Sequence, residues 1–362
     1  MRSSIVLIVG VVAFLTLSSC SQLQAPDKQE AEKTPHWNAV RSQLKYQLAE
    51  EKFDHGRLDE SYELVREAIE LDPIAPSPYI LLTQIHLDRG EIATASETIA
   101  KASGYGGNPA KIHYLTGLIA QRYRHLDEAL QHYKAAAEAD KSNAHYLVTV
   151  AETLVALGRV DEALELVRDR WTDFDHNVAL RDIAGGIHTM LGQHELAANA
   201  YQEAVQLNSE DKGLQRRLVS ALMKIGRHEE ARRILTTLIE DDPSPNPSVL
   251  LDLGQCQMAL HQVDEAKTLF RRVTQQAPAS HEGWVWLARA AVLSGDLKTA
   301  RGSAHQAASL QPAVTEYQLL LATVCWLQKD VPAALAALDR ILQQQPDDRL
   351  ALALRARIAK ER

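Results

Sequence analysis

Glycine recurs at positions 56, 90, 158, 192, 226 and 295, and the successive differences of 34, 68, 34, 34 and 69 are multiples of 34 with one extra residue before the last. A period of that size constrains the fold more than any other feature, because so short a unit cannot bury its own apolar face and must stack on copies of itself. A frame starting at Ser42 opens repeats at residues 42, 76, 110, 144, 178, 212, 247, 281 and 315 and ends at Asp348. The one-residue insertion falls in the Pro-rich turn from Asp241 to Pro247. The two or three ordinary domains that 362 residues would otherwise suggest give way to one array.

In this frame position 20 is Ser61, Ala95, Ala129, Ala163, Ala197, Ala231, Ala266, Ala300 and Ala334. Position 8 is small in most repeats, as Ala49, Gly117, Ala151, Gly185, Gly254, Ala288 and Ala322. Two helices per repeat explain both columns: small side chains allow helix A and helix B to approach closely, while larger apolar ones fill the ridges. Glycine near position 15 interrupts the chain between them, and Pro73, Pro243, Pro278, Pro312 and Pro346 at position 32 stop helix B. Acidic pairs such as Asp59-Glu60, Asp127-Glu128 and Asp264-Glu265 fall in the first turn of helix B, where the helix dipole favours anions. Out of register these pairs would pass for catalytic carboxylates. Within it they are helix starts.

This set of columns resembles the tetratricopeptide repeat family over residues 42–348. The resemblance implies an all-α, right-handed superhelical solenoid of about nine helix-turn-helix repeats. Residues 349–362, with a stripe of Leu350, Ala353 and Leu354 beside Arg349, Arg355 and Arg357, suit a final capping helix. Two departures stand out: Gly104-Tyr105-Gly106-Gly107 replaces the usual Pro turn, and Arg181 holds a large apolar position. Gly185-Gly186 lacks the surroundings of a phosphate loop; Gly186 reads as close packing or a slight kink.

The same resemblance implies a concave groove lined by helix A positions 2, 5, 9 and 12. Here these columns supply Tyr46, Glu50, Gln84, Tyr114, Gln121, Glu152, Asp182, Arg216, Ser220, Gln255, Arg289 and Trp326. Tyr46, Tyr114, Arg216, Arg289 and Trp326 are the candidate anchors for a protein or peptide partner, since Tyr, Trp and Arg most often carry interface energy. Any one of them can instead cover a neighbouring helix. The carboxylate clamp of some relatives is missing, with Tyr46 and Glu50 where Lys and Asn would stand. Trp284 reads as core packing and Trp286 is left undetermined.

At the N-terminus Arg2 precedes the apolar run Ile5–Leu17, too short at 13 residues for a spanning helix of about 20. Leu17-Ser18-Ser19-Cys20 resembles the lipobox of bacterial lipoproteins. That implies a signal peptide over 1–19, lipidation of Cys20 with palmitate-class chains, and a polar tether over 20–41 carrying Pro26 and Pro35. Ser21 in place of Asp implies the outer membrane, facing the periplasm, in a bacterium with two membranes. Uncleaved, the run would be a signal anchor. Loss of residues 1–19 would leave 38 basic against 47 acidic residues, so charge attraction to anionic lipid does not hold the chain at a membrane.

The same acidic balance argues against a nucleic-acid partner. Among 14 His and 3 Cys there is no H-E-x-x-H and no C-x-x-C, so neither metal nor cofactor is expected, and no small-molecule substrate is evident. His125, His194, His228 and His261 fall in the turn between helices A and B and read as solvated. Cys256 and Cys325, separated by an entire repeat, read as free core thiols. The expectation is a non-enzymatic, lipid-anchored scaffold in an envelope assembly of the pilus, secretion, polysaccharide-export or cell-wall class. The alternatives are an envelope enzyme such as a peptidoglycan hydrolase, and a chaperone-like periplasmic peptide binder.

Overall fold

The computed structural model describes residues 35–240, 242 and 244–360. The signal segment 1–19, Cys20 and the tether as far as residue 34 lie outside the described residues, as do Asp241, Pro243 and the last two residues of the capping segment. Nineteen α-helices, one 3-10 turn and no strand occur among the described residues. The chain divides into two compact bodies, residues 1–159 and 160–362.

The first body holds α1 (Pro35–Asp54), α2 (Leu58–Leu71), α3 (Pro76–Asp88), α4 (Ile92–Gly104), α5 (Pro109–Arg122), α6 (Leu126–Ala139) and α7 (Ala144–Ala156). The second holds α8 (Val160–Asp169), α9 (Val178–Met190), α10 (His194–Leu207), α11 (Lys212–Lys224), α12 (His228–Glu240) and α13 (Pro247–Ala259). It continues with α14 (Val263–Gln276), α15 (His281–Leu293), α16 (Leu297–Leu310), α17 (Thr315–Leu327), α18 (Val331–Gln344) and α19 (Arg349–Lys360). Odd-numbered helices are the A helices of the 34-residue frame and even-numbered ones the B helices. In each body, helix A packs on the B helix of its own repeat, and that B helix on the next A helix.

Local chemistry sets these boundaries. Asn108, Asn143, Asn177, Asp211 and Asn246 cap A helices, their side-chain oxygens accepting from backbone N–H groups of the first turn. The acidic pairs stand in the first turns of α2, α6, α8, α12 and α14. Position 15 adopts the left-handed conformation in all nine repeats: Gly56, Gly90, Gly158, Gly192, Gly226 and Gly295 in six, Arg124, His261 and Lys329 in the others. The turn geometry is therefore a property of the repeat, and glycine is only its cheapest occupant.

All nine side chains at position 20 are completely buried. Ser61, the lone hydroxyl among them, donates to the Ala49 carbonyl at 2.8 Å. The small residue at position 8 has a more particular cause than a general close approach. A Cβ on Gly117, Gly185 or Gly254 would come within 2.6, 2.5 or 2.4 Å of the ring of Tyr133, Tyr201 or Phe270. These rings all stand at position 24, whereas repeats with Ala at position 8 have Val65, Val167, Ala304 or Leu338 there. Glycine on helix A and an aromatic ring on helix B are two halves of one packing solution.

Several expectations need correction. Residues 35–41, expected in the tether, form the first two turns of α1, with Pro35 at the first helical position, where it lacks no useful N–H. The packed face of α19 is Ala351 and Ile358 with Leu354 half-buried, while Leu350 is exposed. That shift by one residue arises because α19 opens as position 1 of a tenth repeat and buries that repeat's position 3. Gly186 is not a close-packing site, since its Cβ would meet only the Tyr201 hydroxyl at 3.9 Å, and α9 runs unbroken through it.

Both departures from the family pattern have local causes. Gly106 takes φ +74°, and a Cβ on Gly107 would lie 3.0–3.1 Å from the Ala102 carbonyl, Ile112 and Pro76, so a turn this crowded uses glycine in place of Pro. Arg181 is buried, its guanidinium 4.0 Å above the Trp171 ring, donating to the Phe174 carbonyl at 2.9 Å and paired with Glu203 at 3.3 Å. A charge in a core column is tolerated because it is paired and stacked.

Positions 3 and 7 of the A helices face the B helix of the preceding repeat. A Cβ on Gly283 at position 3 would lie 2.7 Å from Val273. In the later repeats these two positions are buried or half-buried. In α1 they are Leu44 and Leu48, 60% and 39% exposed, and Trp37 and Val40 extend the stripe.

Candidate functional site

A cleft of about 600 Å³ lies in the second body. Three successive A helices build it: Ser220, Met223 and Lys224 on α11, Asp252, Gln255, Met258 and Ala259 on α13, and Trp286 on α15, with His228 from the start of α12. Spacings of three and four put each helix's contributors on one face. Met223 and Met258 both stand at position 12 of adjacent repeats, so two flexible, polarizable thioethers line the same cleft. Burial pushes the Asp252 carboxyl up, against the pull of Arg216. The Nδ1 of His228 is buried without a hydrogen-bond partner among the described residues.

The groove residues expected in this body fall in two sets. Ser220 and Gln255 line the cleft itself. Around it the others are tied into repeat-to-repeat contacts. Asp182 accepts from Arg217 at 3.0 Å, and burial raises its carboxyl in spite of that arginine. Arg216 donates to the Ser248 hydroxyl at 3.0 Å. Arg289 pairs with Glu316 and lies 4.9 Å over the Trp286 ring. Trp326 is half-buried with Arg357 of α19 4.9 Å over its face, so it joins the capping helix to the array.

In the first body Gln84 and Tyr114 border a smaller cleft of about 190 Å³ with Phe53, Leu87, Asp88, Leu115, Leu118 and Arg122. Tyr114 packs against Tyr133, His145 and Tyr146, and its hydroxyl lies 2.8 Å from His145 Nε2. Tyr46 donates to Glu50, and burial together with that carboxylate raises its phenol. Gln121 accepts from the Tyr133 hydroxyl at 2.6 Å, and Glu152 is exposed. Of the five candidate anchors, Arg289 lies over the lining residue Trp286 and Arg216 acts on the lining residue Asp252.

The columns missed were positions 6 and 13, which supply Asp252, Trp286, Lys224 and Ala259. A signal was present in the recurrence of Met at position 12 in two consecutive repeats. The turn histidines divide: His125 and His261 are exposed as expected, whereas His194 and His228 bury Nδ1 without a partner among the described residues. Cys256 and Cys325 are free and buried, and burial pushes the Cys256 thiol up to about 12, which keeps it unreactive at neutral pH. No group of three or more His, Cys, Asp or Glu that could hold a metal occurs among the described residues.

Family models described as tetratricopeptide repeat match residues 122–177, 189–246 and 291–358, and a second such model matches 251–308. The chain is a tetratricopeptide repeat protein. A TPR repeat-containing protein of Methanocaldococcus jannaschii is 27% identical over 156 residues, 43% of this chain, which spans 27% of that relative's length. The C-terminal part of a TPR repeat-containing protein from Cytophaga hutchinsonii matches 67% of this chain and 98% of that one, with TM-score 0.55 and 19% identity. Pseudomonas aeruginosa PilF matches with TM-score 0.50 at 19% identity, over 59% and 97% of the two chains. PilW, described as a type IV pilus biogenesis factor, gives 0.50 at 16%, over 59% and 98%. At these identities the structural likeness is one of fold.

Proposed function

We propose that this tetratricopeptide repeat protein is a lipid-anchored, non-enzymatic scaffold of the bacterial cell envelope, whose second body receives a segment of a partner protein along the cleft from Ser220 to Trp286. The observation that carries the reading is the cleft itself: about 600 Å³, built from one face of three successive A helices, with two methionines, a tryptophan and a few polar groups. Such a lining suits an extended or helical peptide that buries one apolar side chain between Met223, Met258 and Trp286 and offers polar groups to Gln255 and Asp252.

Leu17-Ser18-Ser19-Cys20 supports acylation at Cys20, and the outer membrane facing the periplasm is the location that Ser21 favours in a two-membrane bacterium. The partner assembly is of the pilus, secretion, polysaccharide-export or cell-wall class, and the fold shared with PilF and PilW makes a pilus-type assembly the first to test. Placing a photo-crosslinking residue at Gln255 should yield a discrete adduct in intact envelopes. The adduct should disappear when Met258→Glu is added, and a control crosslinker at Lys298 on α16 should yield none. Adduct that persists in the Met258→Glu chain places the interaction elsewhere. Incorporation of labelled palmitate, lost on Cys20→Ala, reads the anchor separately.

A further inference from the structure

Away from the three-helix cleft, α16, α17 and α18 enclose a second recess of about 260 Å³. His305 and Ser309 come from α16, Gln318 from α17, and Arg340, Gln343 and Gln344 from α18. Gln318 stands at position 4 and Arg340 at position 26, and in two other repeats those two positions hold an ion pair. Lys45 meets Glu67 at 2.6 Å in the first repeat, and Arg181 meets Glu203 at 3.3 Å in the fifth. In the ninth repeat the acid has become an arginine and the base an amide. Among the described residues no carboxylate lines the recess. The neighbouring Asp339 is engaged with Arg355 at 3.2 Å, and no ion pair of Arg340 occurs among the described residues.

Gln318 is only 4% exposed, yet its side-chain carbonyl oxygen has no hydrogen-bond donor among the described residues. A buried acceptor left unpaired costs stability unless something fills it. The recess is thus lined both by a residue whose buried oxygen needs a donor and by a guanidinium for which no anion occurs among the described residues. We propose that it binds a carboxylate carrying an amide N–H next to it, the carboxylate on Arg340 with Ser309 and His305 in support, and the N–H donating to Gln318 Oε1. A free N-acylated amino acid and the last residue of a peptide share that chemistry. The recess is separate from the Ser220–Trp286 cleft, so its fate does not depend on the peptide reading of that cleft.

Titration of the full chain by saturation-transfer NMR tests this with N-acetylglycine, N-acetylglycinamide, acetate, and a glycine tripeptide with free or amidated C-terminus. N-acetylglycine is expected to bind saturably. The amide, which lacks the charge, and acetate, which lacks the N–H, should each bind about tenfold more weakly or worse. Arg340→Gln, on an exposed side chain, should bring N-acetylglycine down to the level of its amide. Gln318→Leu should weaken binding while raising the melting temperature, because it removes the orphaned carbonyl. Preference for the free-acid tripeptide over N-acetylglycine identifies a peptide end as the source; the reverse identifies a free metabolite. Equal binding of acid and amide, binding unchanged by Arg340→Gln, or no saturable signal from N-acetylglycine overturns the proposal.

Discussion

Arg124, His261 and Lys329 hold φ of 65°, 62° and 63°, a conformation that L-residues with a Cβ adopt at a cost of roughly 1–2 kcal/mol. Each stands where six other repeats place glycine, so each turn is set by the helices on either side of it against the preference of its own residue. Lys329→Gly is therefore expected to raise stability by about 1 kcal/mol, read as a shift in the denaturation midpoint at unchanged slope. Gly295→Lys should lower it by a similar amount, and a neutral result for both would remove turn strain from the account. The six glycines made this turn legible in the sequence. The other three repeats could not show it, because the strained residues there are unrelated in chemistry and only the shared register betrays them. The pairing of Gly254 with Phe270 was likewise half visible: position 8 was read as small, but the ring that demands glycine sits sixteen residues on and becomes evident only when the helices pack.

At the scale of a helix pair, α5 and α6 bring His113 and His132 together with Nδ1 atoms 3.3 Å apart. Burial, with help from His113, lowers the His132 imidazole below the ordinary value near 6.5, and Glu128 opposes them only in part. The folded protein then takes up this proton at lower pH than the unfolded chain does. Stability should fall as pH drops through about 6.5, and it should level off once the folded-state imidazole is itself protonated. His132→Gln should flatten that slope in denaturant titrations between about pH 7.5 and 5.5, and an unaltered slope would clear the pair of any role. The helices themselves followed from the 34-residue register. The face each one turns to a partner followed less well. Positions 6 and 13 line the cleft of the second body because its walls come from three A helices at once, a property of packing that no single repeat encodes. The same blindness placed Leu350 on the packed face of α19, where the register requires Ala351.

At the scale of the array, stability in a repeat protein is close to a sum of repeat and interface terms, so an end that lacks a neighbour is an interface term forgone. Position 3 or 7 is covered in each later A helix, but on α1 Leu44 and Leu48 are exposed. Inserting a second copy of residues 42–75 ahead of Ser42 would set a B helix against that stripe. Burial of those two leucines should add about 1–3 kcal/mol, visible as a higher melting temperature and slower exchange of α1 amides. A longer chain that melts no higher would mean that the register inferred for α1 is wrong. Like the step edge of a growing crystal, this end already carries the geometry of the layer that would come next. The length of the array is therefore a quantity that duplication of a 34-residue segment can change in either direction without redesigning any helix already in place.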